Sequence, residues 1–356
     1  MKANLFIIGT PFQLINVLEA KQRFPSAINI LVLTINHSGG INQQISSILN
    51  QENWGEEYIY KINTYQRGAN SQYIKTLKLI KSKFEIVNLF IGHFRIFNQQ
   101  IAFYYLNPDK FFLLDDGVAT TTTQTLYLSK SKMDYDAPPL PLIKKYIKFL
   151  IRGIVCKFPY DLYKYTNLFT SYRFLKPHSQ KQEVLYHSFE YFLSIYKSST
   201  TPTISNAIYF IGQPCGQFCR GEKEYISLFE NIKTFYTKNN YHIIYIAHKL
   251  DSKEFLDKLS KSQWEIQNLD QIIEIYLLTQ KIKPIKIVSF ISSALFNLAT
   301  LFPDTEIESI DIRPLIKEKF LPSTNVVYDN LQQEGVKLIT LDSMDKNNST
   351  QNINKA

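Results

Sequence analysis

Two adjacent carboxylates, Asp115 and Asp116, followed by Gly117, close the apolar run Phe111-Phe112-Leu113-Leu114. A short apolar run that ends in acids and a glycine reads as a buried strand delivering polar residues to a sharp turn. In open α/β sheets, ligands sit in the crevice beyond the carboxyl ends of the strands. Neighbouring carboxylates repel, which tends to raise one pKa and prepare it for proton transfer. Taken alone, the segment reads first as a strand with an ordinary Asp-Gly turn.

Three further segments place polar groups at a strand end or within an apolar stretch. Ile243–Ala247 runs into His248 and Lys249, a pair able to hold an anion and donate a proton to it. Val288–Ile291 runs into Ser292 and Ser293, hydroxyls placed at a helix start where free backbone N–H groups bind phosphate. Glu274 sits in the apolar stretch Ile272–Leu278, where bidentate bonding to ribose hydroxyls is one use for a carboxylate and a surface position is the other. Each has a structural reading as well: a packed histidine, plain N-capping, a surface acid. Asp134-Tyr135-Asp136 matches an Asp-x-Asp metal pattern, but it lies in a loop before Ala137-Pro138-Pro139 and the tripeptide is common. Cys215 and Cys219 have no His or further Cys nearby, so no zinc site is expected.

The elements that position these residues alternate between strand-like and helix-like patterns. Leu5–Ile8 passes through Gly9-Thr10-Pro11 into a helix over Phe12–Arg23, with Pro near the helix start. Strands over Ile28–Leu33, Ile86–Ile91 and Phe111–Leu114 are interleaved with helices over Ile41–Leu49 and Phe97–Tyr105. After the linker-like Ser198–Thr203 a second set begins. It has strands at Ala207–Ile211, Ile243–Ala247, Ile285–Phe290 and Ile307–Ile310, and helices at Glu222–Asn239, Ser252–Leu259 and Ala294–Leu301. This rhythm implies two α/β halves built on parallel sheets, with a ligand cleft between them. The expected domains are 1–200, 204–330 and a terminal segment 331–356, polar and disordered from Ser343 onward.

Composition sets limits. The 356 residues, 45% hydrophobic and 14% aromatic, exclude wholesale disorder. Forty Lys and Arg against 31 Asp and Glu give a net charge of +9, which favours anionic partners. Part of that excess is local: Lys144 to Lys181 holds nine basic residues and one acid, Asp161. Aromatic and aliphatic residues are interleaved there, so a basic amphipathic helix on a bilayer and a solvated helix packed on its own domain both stay open. Three cysteines (Cys156, Cys215, Cys219) suggest no disulfide framework and a reducing cytoplasm. The N-terminal apolar run is too short for a signal-peptide core, and no run is long enough to span a membrane.

The ordered set of motifs resembles the bacterial sialyltransferases of glycosyltransferase family 52, the lipooligosaccharide and capsule group. Gly9-Thr10-Pro11-Phe12-Gln13-Leu14, Leu113-Leu114-Asp115-Asp116-Gly117 and Gly212-Gln213-Pro214 carry the likeness, together with the later His and Ser-Ser segments. It spans roughly residues 4 to 325. The resemblance implies a GT-B-like fold and an inverting, metal-independent transfer from CMP-sialic acid to a terminal sugar, galactose by expectation, on a surface glycan. It makes Asp115 the general base with Asp116 tuning it, and sets His248, Ser292 and Ser293 on the donor phosphate. Glu274 would hold the ribose, and Lys249, Gly212 and Gln213 would complete the donor site. Gly9, Thr10, Pro11, Gly117 and His93 fall on the acceptor side, as do Gly92 and Thr120–Thr123 as loop residues without a readable code. Lys249 departs from the family's proline and adds charge beside the phosphate.

Implied partners are CMP-sialic acid, a lipid-linked glycan acceptor and an anionic inner-membrane surface, with dimerisation open, no cofactor and no nucleic acid. The implied location is the cytoplasm. Two alternatives differ in kind. One is a GT-B enzyme with another nucleotide sugar, Lys249 reaching a diphosphate. The other is a non-catalytic membrane- or nucleic-acid-binding protein driven by the basic segment, although no nucleic-acid motif is visible.

Overall fold

The computed structural model describes residues 1–344 apart from 26, 36–38, 53, 56–57, 65, 67, 197–202, 215–217 and 239. Most of the linker-like stretch 198–203, the terminal residues from 345 and Cys215 therefore lie outside the described residues. The chain divides into two compact units, Met1–Ile195 and Tyr196–Ala356.

The first unit runs β1 (Lys2–Ile8), α1 (Pro11–Arg23), β2 (Ile28–Ile35), α2 (Gly39–Asn50), β3 (Ile59–Asn63), α3 (Ala69–Lys83) and β4 (Glu85–Ile91). It continues with α4 (Phe97–Leu106), β5 (Lys110–Leu114), α5 (Val118–Thr122), α6 (Pro139–Ile151), β6 (Thr166–Thr170), β7 (Val184–Tyr186) and α7 (Glu190–Tyr196). Seven strands form a sheet in the order β3-β2-β1-β4-β5-β6-β7, and every pairing is parallel. Their apolar runs fit strands buried on both faces. Across the sheet, Phe90 of β4 stacks between Phe6 of β1 at 4.8 Å and Phe112 of β5 at 5.0 Å. That row ties the central strands together and fixes their register, since a one-residue slip would turn each ring to the opposite face.

The second unit runs β8 (Thr203–Ile211), α8 (Glu222–Thr237), β9 (His242–Ile246), α9 (Lys253–Lys261), β10 (Glu265–Gln267) and α10 (Ile273–Thr279). Then come β11 (Ile282–Ser289), α11 (Ala294–Leu301), β12 (Glu306–Asp311), α12 (Leu321–Gln333) and β13 (Lys337–Thr340). Its sheet has the order β10-β9-β8-β11-β12-β13 and is again parallel throughout. Phe210, Phe229, Tyr245 and Trp264 form an edge-to-face and stacked cluster in its core. The stretch beyond residue 331 contributes β13, the edge strand paired with β12.

In each sheet the strand order reverses at one place, between β1 and β4 and between β8 and β11. Such switch points open a crevice at the strand ends, because the neighbouring connections leave in opposite directions. One sequence expectation needs correction here. Cys219 is disulfide-bonded, whereas the cysteine count suggested none; an odd total bounds the number of pairs but says nothing about proximity. Cys156 is free, its thiol pushed up to about 11 by burial.

Candidate active site

In the first unit the switch point is built around Gln13. Thr10 caps α1 by accepting from the Gln13 backbone N–H at 3.2 Å, and Pro11 follows at the first helical position. The Gln13 side chain then accepts from Gly9 N–H at 2.8 Å and donates to the Gly92 carbonyl at 3.0 Å, joining the ends of β1 and β4. A Cβ on Gly92 would lie 2.3 Å from the Gln13 carboxamide. The glycine thus serves close approach rather than an unusual dihedral, since a methyl group there would push the Gln13 carboxamide from its two hydrogen bonds. Gln13 was quoted in the opening motif but assigned no role; its spacing from Gly9 was the available signal.

His93 follows Gly92. Its Nδ1 accepts from Arg95 N–H at 3.2 Å, which leaves the proton of a neutral ring on Nε2. That Nε2 lies 3.7 Å from Asp116 Oδ2, longer than a hydrogen bond. Both side chains line a cavity of about 420 Å³ with Gly9, Thr10, Asn98 and Lys145. Four of the expected acceptor-side and acidic residues, Gly9, Thr10, His93 and Asp116, are thus brought together.

Asp115 is placed differently. It is fully buried, and its carboxylate accepts from Thr170 Oγ1 at 2.6 Å, Ser171 N–H at 2.7 Å and Ser171 Oγ at 3.0 Å. Burial pushes its pKa up to about 7 against the lowering effect of those donors, and the neighbouring Asp116 charge adds only a minor push. The rise expected from charge repulsion is present, but loss of water causes it. Gly117 adopts φ +62°, a conformation that favours glycine, as the chain turns into α5. Thr120 binds Asp116 N–H and the Leu114 carbonyl, while Thr121 and Thr122 bond back to Val118, so these hydroxyls hold the turn together.

The second unit repeats the first unit's device. Gly212 directly follows β8, and a Cβ there would meet Tyr245 Oη at 2.5 Å and the Ile246 carbonyl at 2.6 Å. Gln213 follows, its Oε1 accepting from Ile291 N–H at 2.9 Å, so a glutamine again links the two strands of the switch point. His248 Nδ1 accepts from Leu250 N–H at 3.1 Å, which again places the ring proton on Nε2. Burial and the Lys249 charge lower the His248 pKa against the opposing pull of Asp251, so the ring is neutral at pH 7. Asp251, not anticipated from sequence, accepts from His248 N–H at 2.7 Å and from Tyr245 Oη at 2.8 Å, fixing the loop. Its place three residues after the histidine was the only hint.

Ser292 and Ser293 are partly exposed at the start of α11. The Ser292 hydroxyl accepts from Ala294 N–H at 3.3 Å, and Ser293, the N-cap, makes no side-chain cap bond. Glu274 is 4% exposed on α10, its Oε1 accepting from Asn297 of α11 at 2.7 Å, and burial raises its pKa. A separate cavity of about 350 Å³ lies beside the loops after β8 and β9, lined by Pro214, Arg220, Tyr225, Leu250, Asp251 and Lys317. His248, Glu274 and the serines are not part of that lining.

Among the described residues, no group of three or more His, Cys, Asp or Glu could hold a metal ion. Asp134 is paired with Arg95 at 3.0 Å and Asp136 lies 3.7 Å from Lys145, so both acids of the Asp-x-Asp match face cations of the chain. No helix among the described residues is long and apolar enough to cross a membrane.

The model of the alpha-2,8-polysialyltransferase (POLYST) family matches residues 4–311. Similar solved structures include an alpha/beta-galactoside alpha-2,3-sialyltransferase from Photobacterium phosphoreum, with TM-score 0.53 and 11% identity, covering 95% of this chain and 98% of that one. Another is the 2,6-sialyltransferase of Photobacterium sp. JT-ISH-224 with CMP and lactose, with TM-score 0.51 and 14% identity, covering 95% and 78%. Staphylococcus aureus MnaA with UDP also matches, with TM-score 0.52 and 12% identity, covering 94% and 88%. No curated protein matches the sequence. At these identities the structures establish the fold, two parallel-sheet α/β domains of GT-B type.

Proposed function

The chain belongs to the alpha-2,8-polysialyltransferase family, and we propose that it moves sialic acid from CMP-sialic acid to a sugar hydroxyl of a bacterial surface glycan, inverting the anomeric centre without a metal. The family is a sialyltransferase family, as the motif order implied; assignment to family 52 is the narrower part of that resemblance and stays within the proposal. The observation that carries the reading is Asp116 in the first unit's cavity beside the protonated nitrogen of His93.

In this reading Asp116, rather than Asp115, takes the acceptor proton. A base must reach the proton it removes, and Asp116 lines the cavity whereas Asp115 is buried with both oxygens bonded. Asp115 is a positioning residue: it ties the end of β5 to the end of β6 and so sets where Asp116 points. As the acceptor oxygen attacks the anomeric carbon, CMP leaves as a phosphate monoester. Neutral His248 donates Nε2–H to that phosphate, and the Ser292 and Ser293 hydroxyls with the α11 N-terminus stabilise its charge. Lys249, exposed on the same loop, adds a cation.

Two acceptors fit. Neutral groups such as Thr10 and Asn98 suit a galactose terminus. Lys145, on the same cavity wall, favours a terminus that already carries a sialic acid carboxylate, in keeping with the family's name. Thermal shift with CMP, UDP and GDP tests the donor: stabilisation by CMP alone is expected, and a preference for UDP or GDP would replace CMP-sialic acid by another nucleotide sugar.

A further inference from the structure

Helix α6 has an outer face that its own unit does not use. Its inner residues Leu142 and Phe149 are buried, the latter against Phe97. With 3.6 residues per turn, Leu140, Ile143, Ile147 and Ile151 form a second stripe, and all four are exposed, Leu140 by 63% and Ile151 by 79%. Val155, just past the helix, continues the patch at 78%. The adjoining stripe is Lys144, Lys148 and Arg152, also exposed. The helix contains no acidic residue, and none of these three cations is ion-paired with a described residue. Exposed helices of soluble proteins keep one apolar face and turn it inward; this one is apolar on both sides.

We propose that the outer face of α6 docks on an anionic lipid surface, the isoleucine stripe entering the headgroup boundary and the basic stripe meeting lipid phosphates. Charge selects this occupant. A second copy of the chain would bring the same cations against themselves, and a nucleic-acid backbone would leave four large aliphatic side chains in water. The inner edge of the same helix carries Lys145 into the first unit's cavity, so docking sets that cavity at the lipid surface. Its use for lipid-linked acceptors rests on the function proposed above; the docking itself does not.

Flotation with vesicles of phosphatidylcholine alone, and of phosphatidylcholine with phosphatidylglycerol, tests it on the full chain. Binding is expected only with the anionic vesicles, weakening as salt rises. Lys144→Gln/Lys148→Gln/Arg152→Gln is expected to lower partitioning roughly a hundredfold, and Ile147→Ser/Ile151→Ser by about tenfold or more. Both are surface changes, so melting temperature and transfer to a soluble acceptor stay as in the wild type. The proposal is overturned if the wild-type chain ignores anionic vesicles, or if both variants bind like it. It also fails if the serine pair abolishes a dimer seen by light scattering and leaves lipid binding intact.

Discussion

Asp115 and Asp116 are adjacent in sequence and opposite in circumstance. One is sealed under Thr170 and Ser171, the other opens into a cavity beside His93. Asp116→Asn is expected to reduce kcat by roughly 10²–10⁴-fold, the usual cost of losing a general base. Asp115→Asn is expected to retain most of the rate and to alter stability instead. The folded pKa of Asp115 is raised from 3.8 to about 7. The folded state therefore keeps a proton that the unfolded chain has lost, and this contribution to stability, full below about pH 4, disappears as pH climbs to 7. Melting temperatures across that window should fall more steeply for the wild type than for Asp115→Asn. Parallel curves, or an Asp115→Asn enzyme as inactive as Asp116→Asn, would return the base role to Asp115. Sequence could show that a pair of acids stood at a strand end. It could not show which one faced solvent, because that depends on what β6 brings alongside, and β6 carries no signal near the acids.

At the level of elements, each unit uses a glutamine to bridge the switch point of its sheet, Gln13 onto Gly92 and Gln213 onto Ile291, while Gly212 lets the end of β8 approach Tyr245 and Ile246 of β9. Alanine at Gly92 or Gly212 is expected to cost about 1–3 kcal/mol through overpacking, read as a lower urea midpoint. Gly212→Ala should also raise KM for the donor, because Tyr245 holds Asp251 and Asp251 holds the His248 loop. Gly40→Ala, with open space around the new methyl group, is the control and should not destabilise. The elements themselves were largely legible: the strands of β1, β5 and β9 and the helices α1 and α11 fall within a few residues of the periodic runs that announced them. The elements not called from sequence were β3, β6, β7, β10 and β13, several of them edge strands, together with α3, α5, α7, α10 and α12. Short edge strands such as β7 and β10 have too few residues for a hydrophobic period to stand out.

Across the whole molecule, two parallel sheets each end in a loop cluster that presents one histidine with its proton on Nε2. One cluster adds a carboxylate, the other hydroxyls and a helix N-terminus. This division suits a reaction in which one unit removes a proton from the acceptor and the other supports a departing phosphate. The order of the motifs was readable because each stands at the end of its own strand. The partners that tune them were less so: Asp251, Thr170 and Ser171 come from loops and strands distant in sequence or without a motif of their own, and Gln13, although inside the opening motif, carried no sign of the Gly92 carbonyl it binds. The most direct measurement of the account is transfer itself: CMP-sialic acid is incubated with lactose and with sialyllactose in EDTA, and products are read by mass spectrometry. The expected result is addition of sialic acid to at least one acceptor by the wild type and addition at least about a hundredfold slower by Asp116→Asn at equal protein. No addition to either acceptor, or undiminished addition by Asp116→Asn, would contradict it.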